Sequence, residues 1–125
     1  MTHSKTKTSF YRRLYVAHLI SAGINTVPKI TQFTGMPRRT AQDTIAALDE
    51  LAINCEFVGA KKDGAYTIND WGAINPLWIK GQINQICEVL SYPVPDWLSR
   101  LKVAYLYASG LQNNKERDVK YGRAL

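Results

Sequence analysis

A glycine and a proline one residue apart, Gly35-Met36-Pro37, constrain this chain more than any other feature. They sit inside Thr26–Leu51, TVPKITQFTGMPRRTAQDTIAALDEL. Glycine takes the left-handed conformation that ends helices, so Gly35 predicts a stop. Proline is tolerated in the first turn of a helix, so Pro37 predicts a fresh start. Upstream, Thr26 is placed to cap a short helix with Pro28 in its first turn, and Ile30 and Phe33 give that helix apolar contacts. Downstream, Ala41, Ile45, Leu48 and Leu51 fall on one helical face, whereas Arg38, Arg39, Gln42 and Asp43 fall mostly outside it. Two short helices joined by a tight turn are the expected result.

This order is that of a helix-turn-helix, whose second helix has a polar, basic leading end. A plain helical hairpin in a small bundle has the same spacing, with both arginines simply solvated. The helix dipole favours cations at the other end, so Arg38 and Arg39 at this one point to an anionic partner. Charge along the chain agrees. Of the net +6, residues 1–62 hold nine Lys or Arg against four Asp or Glu, and residues 63–125 hold seven against six. The excess lies in the half that carries the motif, which favours nucleic acid first and an acidic membrane surface second.

The chain is 125 residues long, 46% hydrophobic and 21% charged, which suits a single globular domain with a real core. No apolar run approaches the roughly 18 residues of a membrane span. The basic residues ahead of LYVAHLI, with Ser21-Ala22-Gly23 behind it, imitate a signal peptide, but Arg12, Arg13 and His18 make the stretch amphipathic. Cys55 and Cys87 are far apart and lack a CxxC partner; they read as small core residues in a reducing cytoplasm. His18 stands without a second ligand, and no His/Cys/Asp/Glu cluster assembles from sequence, so neither a metal nor another cofactor is expected. Gly-rich phosphate loops, HExxH and GxSxG are missing, and Asp49 and Glu50 point to different parts of a helix surface; the chain does not read as an enzyme.

Along the chain, residues 1–8 read as a polar tail. Thr8 or Ser9 caps a first helix running to about Ala22, with Phe10, Leu14, Ala17 and Ile20 inward, Val16 and Leu19 widening that stripe, and Tyr11, Tyr15 and His18 beside it. Ile24 to Thr26 suggest a short strand. After Leu51, NCEFVG and AYTI read as two strands around AKKDG, whose Asp63-Gly64 is a hairpin signal. Lys61 and Lys62 lie at the tip of that hairpin; on an ordinary exposed hairpin they would serve only to prevent edge pairing.

On these residues, 9–70 resembles a winged helix-turn-helix domain of bacterial transcription regulators. The carrying positions are Gly35, Arg39, Thr40, Ala41, Ile45, Leu48 and Leu51, followed by the hairpin. Common members close the segment with Glu-x-Gly; here Leu51-Ala52-Ile53 stand instead. The resemblance implies a mainly α fold with a small β-hairpin wing and helix 37–51 in the major groove of double-stranded DNA. Arg38 and Arg39 would read guanine through the guanidinium fork, and Gln42 adenine. Thr26, Lys29, Thr40, Lys61 and Lys62 would hold phosphates. A winged helix can instead serve protein–protein interaction without DNA, and RNA is a third partner class; no small-molecule effector is identified.

Residues 71–110 read as a C-terminal helical extension and 111–125 as a polar tail. Asn75 and Pro76 open a helix to about Leu90 with Ile79, Ile83, Ile86 and Leu90 along one face. Asp96 opens another, to Gly110, with Leu98, Leu101 and Tyr105 on one side and Trp97 on the next. This pair either packs on the winged core or forms a homodimer seam through Ile79, Ile83, Ile86, Leu90, Trp97 and Leu101.

Overall fold

The computed structural model describes residues 3–95. Helix α1 spans Lys5–Ser21, α2 Val27–Thr34 and α3 Arg38–Ala46; strands β1 (Asn54–Val58) and β2 (Ala65–Asp70) follow, then α4 (Pro76–Gly81) and α5 (Ile83–Leu90). Trp97, Leu98, Leu101 and Tyr105, with the helix expected from Asp96 and the tail 111–125, lie outside the described residues.

Helix α1 begins at Lys5, several residues ahead of the expected start, because the Ser4 side chain accepts a hydrogen bond from the Lys7 N–H at 3.0 Å. That cap takes Lys5–Thr8 into the first helical turn rather than the tail. The middle of the helix is buried almost all round: Leu14, Tyr15, Val16, Ala17, Leu19 and Ile20 all lie in the core. This exceeds the single stripe expected, because α3 and β2 pack on α1 as well as α4 and α5. The buried Tyr15 hydroxyl, which needs a partner away from water, donates to the Pro93 carbonyl at 2.8 Å, and its ring stacks on Tyr92 at 5.4 Å. Burial pushes the Tyr15 phenol well above its usual range.

The hairpin β1–β2 is antiparallel, with Phe57 opposite Tyr66 and Val58 opposite Ala65. Ile24 to Thr26 form no strand; one bond, Tyr66 N–H to the Asn25 carbonyl at 2.8 Å, ties that segment to β2. The single helix expected over 75–90 is two, because at Gln82 the backbone leaves helical geometry (φ −110°, ψ 14°), just after Gly81. Among the described residues no helix is long and apolar enough to cross a membrane.

Candidate nucleic-acid interface

The two motif helices are fixed by local chemistry. Thr26 caps α2, its hydroxyl oxygen accepting from Lys29 N–H at 3.2 Å. Gly35 ends that helix at φ +80°, where a side chain is rarely tolerated, and its N–H reaches the Thr31 carbonyl. Thr34 then locks the turn, donating to the Ile30 carbonyl at 2.7 Å and accepting from Met36 N–H at 3.0 Å. Met36 inserts into the core and Pro37 caps α3 in extended geometry. Ala41, Thr44, Ile45 and Leu48 form the inward face of α3 and its continuation. The Thr44 hydroxyl is satisfied by the Thr40 carbonyl at 2.7 Å. The last turn expected for this helix, Ala47–Leu51, is tightened to a 3₁₀ helix.

With that face inward, Arg38, Arg39 and Gln42 are all exposed at the leading end of α3. Arg39 makes an i,i+4 ion pair with Asp43, Nε to Oδ2 at 3.5 Å, with 86% of its side chain still accessible. Lys29 is exposed in the first turn of α2, and Thr26 and Thr40 are half-buried. Lys61 and Lys62 are exposed in the turn between β1 and β2, so they form a second basic group apart from the α3 end. A groove of about 370 Å³ where α3 and its continuation meet the hairpin is lined by Gln42, Ile45, Asp49, Glu56 and Tyr66.

The wing carries features the spacing of residues did not disclose. Phe57 packs edge-on against Tyr66 at 5.0 Å, yet Phe57 and Val58 remain 45% and 55% exposed. Gly64 lies beneath the Phe57 ring, where an added Cβ would collide with it. At the approach to the wing, Ala52 takes φ 62°, ψ 21°, a left-handed position without a glycine. Gly72 lies against the Ala52 carbonyl.

Elsewhere, Ile79 and Ile86 are fully buried in the protomer, in helices that pack on α1, and so present nothing to a partner. Ile83 and Leu90 are half-buried. The outer apolar surface belongs instead to Leu77 and Trp78, 74% and 47% exposed. His18 is half-buried, and its pKa is lowered first by burial and then by the Lys80 charge, as for a structural histidine. Burial raises the Cys55 thiol and pushes Cys87 up to about 11, which leaves both as poor nucleophiles. Among the described residues no three His, Cys, Asp or Glu side chains group as metal ligands.

Helix, glycine turn, second helix and basic hairpin, in that order on a central α1, define a winged helix-turn-helix. The chain belongs to the Winged helix-turn helix family, whose model matches residues 5–90. Its fold is similar to the crystal structure of a DUF2131 family protein from Shewanella amazonensis SB2B. The two share 34% identity with a TM-score of 0.68, over 73% of this chain and 91% of that one. No curated protein matches this sequence.

Proposed function

We propose that this protein binds double-stranded DNA sequence-specifically, as a bacterial transcription regulator acting in the cytoplasm, and that it does so without catalysis. The leading end of α3 enters the major groove. Arg38 and Arg39 read guanine O6 and N7, Gln42 reads adenine, and Thr26, Lys29, Thr40, Lys61 and Lys62 hold backbone phosphates. The observation that carries this reading is the joint exposure of Arg38, Arg39 and Gln42 at the α3 end where the helix dipole disfavours cations. An exposed ion pair such as Arg39–Asp43 contributes little on its own and exchanges readily for a base edge.

A homodimer completes the proposal. A single winged domain reads few base pairs, and two-fold symmetry doubles the site with half-sites about one helical turn apart. Leu77 and Trp78 support a seam on α4, since large apolar side chains at high exposure favour a covering surface. The same pair favours the second reading, a module that docks another protein through α4 and leaves DNA alone.

Arg39→Ala is expected to cost about 1–3 kcal/mol at a specific duplex and to relax preference at one base position. Equilibrium binding to duplexes varied at each position measures both. Unchanged affinity and preference in Arg38→Ala and Arg39→Ala together would remove the reading head from α3.

A further inference from the structure

A cleft of about 280 Å³ opens between α1 and α3, lined by Ser9, Arg12 and Arg13 on one side and Thr40, Asp43, Thr44 and Ala47 on the other. Its charges do not balance. Arg13 pairs with Glu50 at 3.3 Å and Asp43 pairs with Arg39 at 3.5 Å. Among the described residues no ion pair engages Arg12. The Arg12 Nε is moreover a buried donor with no hydrogen-bond partner. A sealed guanidinium N–H without an acceptor is costly; what Arg12 can offer the cleft is the accessible remainder of its half-buried side chain. The Thr44 hydroxyl already donates to the Thr40 carbonyl, which leaves the Ser9 and Thr40 hydroxyls as the neutral donors of the cleft.

We infer that this cleft takes one backbone phosphate of the duplex, with Arg12 as its charged donor and Ser9 and Thr40 beside it. The inference rests on the DNA reading above. It adds a contact from α1 to a surface otherwise built from α2, α3 and the wing. Thr40 follows Arg39 directly in the chain, so the cleft flanks the reading end of α3, where a strand bordering the major groove passes. A guanidinium fork suits a phosphodiester, which offers two unesterified oxygens. The cleft is open beside exposed Asp43 and offers one unpaired cation, which suits a singly charged diester held at many other points better than a free dianion.

The test compares Arg12→Gln and Ser9→Glu with the unsubstituted protein on one specific duplex across a salt series, with thermal melts to confirm folding. Arg12→Gln is expected to lose roughly tenfold in affinity, the worth of one hydrogen-bonded charge. Its slope of log affinity against log salt is expected to shrink by about 0.9, with base preference unchanged. Ser9→Glu, which places a carboxylate in the cleft without removing Arg12, is expected to weaken binding in the same preference-neutral way. Full affinity and salt slope in both variants, with Arg39→Ala still weakened, would overturn the cleft assignment and leave the DNA reading intact. Failure of the unsubstituted protein to bind any duplex would overturn both.

Discussion

Helix α3 and the pair α4–α5 begin from similar sequence patterns and end with opposite surfaces. Both carry apolar residues at helical spacing, and both bury them: Ala41, Ile45 and Leu48 in one case, Ile79 and Ile86 in the other. What remains outside differs. On α3 it is Arg38, Arg39, Gln42 and Asp43, with Ala46 behind them; on α4 it is Leu77 and Trp78 beside Lys80, and on α5 Asn84, Gln85 and Glu88, so of these helices only α4 exposes large apolar side chains. An apolar stripe therefore tells which face turns inward but not what an element is for. The solvent face carries that information, and here it separates a surface suited to polyanions from one suited to apolar contact.

The largest effect expected from breaking this contrast is in the core of α5. Ile86→Ala should lower unfolding free energy by about 2–5 kcal/mol in a denaturant titration, since a fully buried isoleucine leaves a cavity. Leu77→Asp should leave the fold within about 0.5 kcal/mol of the parent, as surface changes usually do. On the dimer proposal it should also bring the sedimenting species down to 14.1 kDa. Equal destabilisation by both substitutions would erase the distinction between an inner and an outer face of this pair.

A smaller effect sharpens the other side. The wing lysines are exposed in the hairpin turn, on a different element from Arg38, Arg39 and Gln42, and on the proposed reading they act on backbone charge. Lys61→Ala with Lys62→Ala should weaken binding to all sequences alike and shrink the salt slope by about 0.9 per lost phosphate contact. An unchanged slope would make the hairpin an exposed loop with no part in binding.

The smallest effect concerns the junction of the two regions. Ala52 holds a left-handed conformation that costs an L-residue roughly 1–2 kcal/mol, and glycine relieves it at some cost in unfolded-chain entropy. Ala52→Gly should therefore raise the thermal midpoint slightly. A lower midpoint would mean that Ala52 packing beside Gly72 outweighs the backbone strain.

The parts of this fold readable from sequence are those fixed by neighbours in the chain. Thr26, Pro28 and Gly35 cap, open and close α2 through groups at most four residues away; the hairpin was legible too, although its loop runs Gly59–Gly64 and takes its positive φ at Gly59 rather than at Gly64. The break at Gln82 was hidden because the isoleucine spacing of α4–α5 fits one unbroken helix, and a lone glycine such as Gly81 costs a helix only about 1 kcal/mol. The inward turn of Ile79 and Ile86 depends on α1, nearly sixty residues or more away, and no local rule contains it. The α1–α3 cleft is the same kind of feature, since Ser9 and Arg12 meet Thr40 only in the folded chain. Departure from Glu-x-Gly at Leu51-Ala52-Ile53 was visible, but not that its middle residue, Ala52, takes the left-handed conformation.

Selection of bound sequences from a random duplex pool by the full chain tests the central claim most directly. The account predicts enrichment of one motif, arranged as two inverted half-sites about one helical turn apart, each containing a guanine step whose enrichment disappears when the selection is repeated with Arg39→Ala. A pool that stays random after repeated rounds, or a motif left unaltered by Arg39→Ala, would contradict it.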